Sequence, residues 1–430
     1  MSTLRPHQEE AVDAVERILP CLSVPSIVVQ ACTGAGKTEI ANALRPDRVV
    51  APGIDLVRQL RGRIQSAEVH TIQGLSAMLD RGEALPPAKR IVFDEGRSIA
   101  APKWCRVPEA YLRMGAQMII LDATPATAKG SGLGQWASAI YQSVPMSSLI
   151  AQGYLVPFRV ITSEGVGEKP VDAWLRHLNG RRSLVFCRDK AHAARTVAEF
   201  NAEGVPADII SDSTPEKRRR ELLGWVNDDG NWNQGELATG KLWVLVCAQI
   251  LRQGIDIPEV EGIILNRRCD SYPLFQQAVG RGGRACDRIG KKDCIVVDMV
   301  GELTDKHGLP TDHKIWTLGE DAIRDPEYLP PPLPCPTVGC RTYGRGAACA
   351  FCGAPLPVPG STEAKRETLR KIIRSLLSEG AYPWDAKHRY RRAYNVNPPA
   401  AWILDELHDY KTQPPMGPLP APIAPPMAQA

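Results

Sequence analysis

Nowhere does this 430-residue chain approach the roughly 20 consecutive apolar residues that a membrane-spanning helix requires, which argues against a helical bilayer span. Its first ten residues, Met1–Glu10, contain no apolar signal region, so a soluble intracellular protein is expected. A disulfide framework is also missing. Eight of the 12 cysteines stand singly in apolar segments, which suits buried thiols in a reducing compartment. The formal net charge of +4 is too small to imply a nucleic-acid partner by itself. The tail from 411 to 430 is rich in Pro and Ala and almost without charge, so it lacks the apolar surface to order itself and is expected to be disordered.

What remains is ordinary for a globular protein, 43% hydrophobic and 23% charged, and long enough for two or three domains. From about 24 to 160, short apolar runs alternate with helical patterns. Ile27–Val29, Arg48–Ala51, Arg90–Phe93 and Met118–Leu121 read as buried parallel strands. The rhythm repeats in Ser183–Phe186, Ala207–Ile210, Leu242–Val246, Gly262–Leu265 and Cys294–Val297. Asn227–Gly235 reads as an exposed loop. The fold class expected is α/β: two tandem parallel-sheet domains, 1–155 and 156–329, joined at Gln152–Pro157. A small cysteine module (333–357) and a basic, partly helical segment (361–410) follow.

Three motifs carry chemistry. Ala31-Cys-Thr-Gly-Ala-Gly-Lys-Thr38 lies between an apolar strand and a helical run. Such a loop, here Thr33, Gly34, Ala35 and Gly36, turns backbone N–H groups onto phosphates, with Lys37 reaching the β- and γ-phosphates and Thr38 holding Mg²⁺. The bland alternative is a turn of small residues. Asp94-Glu95 ends an apolar strand of the same domain. Asp94 can hold Mg²⁺ through water and Glu95 can polarise the attacking water, although adjacent acids are also common on surfaces. Gln276-Gln-Ala-Val-Gly-Arg-Gly-Gly-Arg284 offers two arginines three apart among glycines. If that turn faces the phosphate loop, Arg281 and Arg284 act as arginine fingers on the γ-phosphate; otherwise it is a turn facing solvent or phosphate without specificity.

Cys335, Cys340, Cys349 and Cys352 form a four-thiol cluster beside Gly339 and Gly353 in a Pro-flanked stretch with no core of its own. A closed structural Zn²⁺ site is expected, against a reading as unbound or redox cysteines. Residues 361–396 carry nine Lys or Arg and four acids, with Tyr382, Trp384, Tyr390 and Tyr394 interleaved. They form a candidate nucleic-acid surface or a solvated helix face.

In order and character these motifs resemble the superfamily 2 DEAD/DEAH-like helicases, over roughly residues 3–300. That resemblance implies two RecA-like domains with ATP and Mg²⁺ between them. It makes Leu4-Arg-Pro-His-Gln8 the adenine-reading segment, with Arg5 and Gln8 at the nucleotide. Ala51-Pro-Gly53 and His70–Gly74 are implied to contact the nucleic-acid backbone, and Leu121-Asp-Ala-Thr-Pro125 to couple hydrolysis to strand movement. Gly254 and Asp256 in Gln253–Pro258 are implied at the nucleotide, with Asp256 on the ribose, and Gln277, Arg281 and Arg284 fall on the last catalytic motif. Leu149–Pro157, Leu274–Arg284, Asp293–Asp298 and the cysteine cluster are most similar to the RadD-like bacterial and phage group. Three positions depart from the usual pattern: Gly96-Arg97 after the acidic pair, Asp122 in place of Ser or Thr, and Ala248 in place of Thr.

The function expected is an ATP-dependent DNA helicase or translocase in replication, recombination or repair. It would act on single-stranded or branched DNA in the cytoplasm of a bacterial or phage-infected cell, with no membrane partner and as a monomer. The alternatives are an RNA-dependent ATPase or RNA helicase, and a nucleic-acid-binding adaptor with a degenerate ATP site.

Overall fold

The computed structural model describes residues 3–64, 66–163, 168–226, 232–248, 257–300, 306–324, 332–337, 340, 342–345, 347–356, 366, 369, 370 and 373. Its first half is a six-stranded parallel sheet of β1 (Ser26–Gln30), β2 (Arg48–Ala51), β3 (Glu68–Thr71), β4 (Arg90–Asp94), β5 (Gln117–Asp122) and β6 (Ala139–Gln142). The order is β3-β2-β4-β5-β1-β6. Alternation along the strands fills both faces. Ile27, Val29, Val92, Ile119 and Leu121 enter one core, and Val28, Val50, Phe93, Met118 and Ile120 enter the other. Burial on both sides is why these strands read as unbroken apolar runs.

The second half repeats the plan with β7 (Phe158–Thr162), β8 (Ser183–Cys187) and β9 (Ala207–Ile210). An antiparallel hairpin, β10 (Gly224–Val226) with β11 (Trp232–Gln234), is inserted before β12 (Val244–Ala248), β13 (Gly262–Asn266) and β14 (Cys294–Asp298). The parallel sheet order is β7-β14-β13-β8-β12-β9. Leu184, Phe186, Leu245 and Val296 pack on one face, and Val185, Val246, Ile264 and Trp174 on the other.

The sequence reading needs correction at two places. The segment 227–235 is not all loop, because Trp232–Gln234 pairs with Gly224–Val226. The strand expected at Leu242 begins at Val244, where pairing with β8 starts. Of the eight single cysteines, six are buried, while Cys21 is exposed and Cys105 is half-buried.

Two small hairpins complete the chain. β15 (Ile315–Trp316) pairs with β16 (Ile323–Arg324) and returns to the first sheet. There the Gln142 side chain donates to the Lys314 carbonyl at 2.5 Å and accepts from the Trp316 N–H at 3.1 Å. β17 (Leu333–Pro334) pairs with β18 (Tyr343–Gly344) and carries the cysteine cluster to the edge strand β7, where Thr342 bridges Ile161.

Candidate nucleotide site between the two sheets

β1 is an interior strand, flanked by β5 and β6 and buried along its whole length, so the loop that follows it emerges at the carboxyl ends of the strands. The loop turns at Gly34 (φ +85°) and Gly36 (φ +83°), and helix α2 (Lys37–Ala43) starts on it. Gly36 must be glycine on two counts. Its φ lies in the left-handed region, and a Cβ there would fall 2.2 Å from Nε2 of Gln8. The Gln8 amide donates to the Ala35 carbonyl at 3.0 Å, and its oxygen accepts from the Arg5 N–H at 2.9 Å. His7 Nε2 reaches the same Ala35 carbonyl at 2.9 Å. Helix α1 (Pro6–Ile18), capped at Arg5 with Pro6 in its first turn, thus braces the loop from behind. Lys37 Nζ lies 3.3 Å from the Ala31 carbonyl, at the mouth of the loop.

Asp94 closes β4 next to this loop and is buried. Burial, reinforced by Glu95 and Asp122 and opposed by Lys37, pushes its carboxyl up to about 7. Glu95 follows in the left-handed region (φ 48°), which is costly for a non-glycine residue. Gly96 then lies so close to β5 that a Cβ would meet Ile120 Cγ2 at 2.2 Å. This packing explains the glycine found there.

The two other departures in this half, Arg97 and Asp122, are partners in one network. The Asp122 carboxylate accepts from the Arg97 N–H at 2.8 Å and from the Thr124 N–H at 2.7 Å. The Arg97 guanidinium donates to Thr124 Oγ1 at 2.8 Å and lies 3.4 Å from Glu95 Oε2. Thr124 Oγ1 also accepts from Gln277 Nε2 of the second half at 3.1 Å. An unbroken polar chain therefore runs from the acidic pair to the helix Tyr272–Gly280. Sequence reading noted Arg97 and Asp122 as oddities but gave neither a role. Asp122 is reached by the Arg97 backbone N–H, a group every non-proline residue carries, so this contact left no signal in the sequence.

The arginine turn follows that helix and lies on the phosphate loop. A Cβ on Gly280 would sit 2.7 Å from Thr33 Cβ, and one on Gly34 would sit 3.6 Å from Arg284 Cγ. The turn thus meets the loop through Gly280 and Arg284, which are brought against Thr33 and Gly34, while Gly282 and Gly283 pack on Cys294 and Phe158 of their own half. Ala248 ends β12, with its side chain in the second core. Gly254 and Asp256 lie outside the described residues, as does nearly all of the basic segment 361–396.

The four cysteine sulfurs at the far edge of the second sheet lie within 4.8 Å of one another, and all four are free thiols. Sγ–Sγ separations are 3.5 Å for Cys335–Cys352 and 3.7 Å for Cys340–Cys349. A tetrahedral Zn²⁺ with Zn–S near 2.3 Å needs sulfurs about 3.8 Å apart, so the donor set fits zinc. The Ala354 N–H draws the Cys352 thiol down to about 6, while burial pushes Cys349 up to about 11. Arg159 of β7 secures the module, donating to Thr342 Oγ1 at 2.9 Å and to the Cys340 carbonyl at 3.2 Å and covering the Phe351 ring at 3.5 Å.

Comparison with known proteins agrees with this layout. Residues 169–286 match the helicase conserved C-terminal domain. A mitochondrial ATP-dependent helicase of Schizosaccharomyces pombe, irc3, is 25% identical over 392 residues, covering 75% of this chain and 61% of its own length. Among solved structures, a fragment of an HsdR subunit of a type I restriction enzyme from Vibrio vulnificus YJ016 matches with a TM-score of 0.53 at 18% identity. The match covers 71% of this chain and 66% of that one. The ATP-dependent Type ISP restriction-modification enzyme LlaBIII, solved bound to DNA, matches with a TM-score of 0.51 at 14% identity, over 69% of this chain and 27% of that one. The chain thus spans under two thirds of the length of each of these relatives.

Proposed function

We propose that the chain is a superfamily 2 DEAD/DEAH-like helicase, as its match to the helicase conserved C-terminal domain and its likeness to helicase relatives support, and that it hydrolyses ATP in the cleft between its two sheets to move on or remodel DNA. The observation that carries this reading is the meeting of the arginine turn with the phosphate loop, tied by the Gln277–Thr124 hydrogen bond. In this proposal the loop N–H groups from Thr33 to Gly36 and the Lys37 ammonium hold the phosphates. Thr38 and Asp94 supply the hard oxygen donors that suit Mg²⁺, which neutralises phosphate charge when bound. Glu95 orients the attacking water and takes its proton. Arg281 and Arg284 stabilise the charge that gathers on the transferring phosphoryl group. Arg5 and Gln8 lie on the nucleobase side, and Gly254 and Asp256 complete the nucleotide contacts. The Cys335–Cys340–Cys349–Cys352 set holds a structural zinc.

DNA is preferred because the acidic motif reads Asp94-Glu95-Gly96-Arg97 and lacks the pattern of the DEAD-box RNA helicases. The basic aromatic stretch 361–396 is proposed as part of the binding surface, the domain limits stay at 155 and 329, and cytoplasmic action as a monomer of the RadD-like group belongs to the same proposal. The test is ATP turnover of the purified chain with no nucleic acid, single-stranded DNA, duplex DNA, forked DNA and RNA. Stimulation by single-stranded or forked DNA is expected. Stimulation by RNA alone would transfer the chain to the RNA-dependent reading. No turnover under any condition, with ATP still bound, would make it an adaptor.

A further inference from the structure

The joint between the halves is not a loose linker. Leu155 lies in a core of the first half with Met146 and Leu149, and the next residue, Val156, lies in a core of the second with Val160 and Phe186. Three successive residues of this crossing touch three parts of the candidate site. The Tyr154 ring packs 5.6 Å from the His7 ring and beneath the Arg5 guanidinium, 4.4 Å from it. Leu155, buried to 2% exposure, covers the phosphate loop so closely that a Cβ on Gly34 would meet its Cδ2 at 2.6 Å. The Leu155 backbone forms an antiparallel bridge with Arg284, and the Val156 N–H donates to the Gly283 carbonyl at 2.9 Å. The joint is held at its other end by the Leu149 carbonyl, which accepts from the Tyr154 and Leu155 N–H groups at 2.9 and 3.2 Å.

We infer that Leu155 is a positioning residue for Arg284: it registers the phosphate loop at Gly34 through its side chain and sets the arginine turn through its backbone. The inference rests on the ATPase reading of this site and adds to it a route that runs through the joint, separate from the polar chain through Arg97. A displacement of the loop when phosphates enter moves Leu155 directly, because side-chain packing leaves no slack over Gly34. The backbone bridge then carries that displacement to Arg284, the direct partner of Leu155 in the pairing. A misplacement of about 1 Å in such a group costs roughly 10- to 100-fold in rate.

The experiment compares wild type, Leu155→Ala, Leu155→Met, Arg284→Ala and the Leu155→Ala/Arg284→Ala double variant in single-site nucleotide binding and in turnover, with melting temperatures recorded alongside. Leu155→Ala is expected to lower turnover roughly 10-fold or more while nucleotide affinity stays within about threefold, and Leu155→Met is expected to restore most of the rate. In the Arg284→Ala background the Leu155→Ala change should cost little more, since the arginine it positions is already gone. Equal cost in both backgrounds, or equal loss of affinity and turnover, overturns the inference and leaves Leu155 a packing residue. Should Leu155→Ala fail to fold, Leu155→Val serves the same cycle. Failure of the ATPase reading itself is distinct: wild type would then show no turnover, whereas failure of this inference alone leaves Arg284→Ala slow and Leu155→Ala fast.

Discussion

The two sheets share one architecture but not one chemistry. Both are sheets of six parallel strands with apolar cores on two faces, although their strand orders differ. At the carboxyl ends of the first, β1 leads into the glycine loop, β4 into Asp94-Glu95 and β5 ends at Asp122. At the corresponding ends of the second, Asp189 caps a helix through the His192 N–H at 2.7 Å, and Asn266 meets the His192 ring at 3.1 Å. Neither a glycine cradle nor a pair of acids occurs there among the described residues. The second half contributes instead from the helix Tyr272–Gly280 and the turn after it. A repeated fold therefore does not make a repeated site: what a strand end carries decides its role. In this account the first sheet binds and the second completes.

The largest effect should come from breaking the binding half. Lys37→Ala is expected to cost on the order of 10³-fold or more in turnover, read by phosphate release, and to weaken ATP binding as well. Unchanged turnover would place the site elsewhere.

A smaller effect should come from cutting the polar chain that ties the sheets. Arg97→Ala, Thr124→Val and Gln277→Ala should each lower turnover about 10-fold, and pairs should be non-additive by roughly 1 kcal/mol or more. Additive costs in this double-mutant cycle would mean that the two halves do not communicate through Thr124.

The cysteine module sharpens the comparison from the second side, since it packs on β7 and not on the cleft. Replacing Cys349 and Cys352 together by Ser should abolish the zinc found by elemental analysis and lower the melting temperature by several degrees. ATP affinity should stay within about twofold, because the proposed binding residues lie on the first sheet. A full stoichiometry of zinc in that variant, or none in wild type, would refute the metal site.

The smallest effect is one of pH. The Asp94 carboxyl is raised to about 7 by burial, so the folded state holds its proton more tightly than the unfolded chain. Its stabilising contribution is full below the ordinary carboxylate range near 4 and is lost as pH rises through about 7. Metal-free protein should therefore melt at lower temperature as pH rises across that window, and Asp94→Asn should flatten the trend. A wild-type profile identical to that of Asp94→Asn would contradict the shift.

How much of this was legible beforehand follows from burial. Ile27-Val28-Val29 and Met118–Leu121 are interior strands covered on both faces, so their apolar runs are plain in the sequence. Within the two parallel sheets, the strands that went unread, β3, β6 and β7, are edge strands. Their half-exposed positions admit Glu68, His70, Gln142 and Arg159, which dilutes the pattern. The same division holds in the candidate site. Residues within one loop, from Thr33 to Thr38 or Asp94-Glu95, declare themselves by spacing. The Thr124–Gln277 bond joins residues 153 positions apart, and the contact of Leu155 with Gly34 depends on packing, so neither leaves a local trace. The Arg97–Asp122 pair was visible only as two separate exceptions, because nothing in a single sequence says that the ends of β4 and β5 are neighbours.

The division of labour between the sheets is tested most directly by Arg284→Ala, with ATP affinity and the single-turnover hydrolysis rate measured on the same preparation. The account predicts affinity within about threefold of wild type and a hydrolysis rate lowered roughly 10³-fold, the scale of a lost arginine finger. Equal loss of affinity and rate would make Arg284 a binding residue, and an unchanged rate would remove the second sheet from the chemistry.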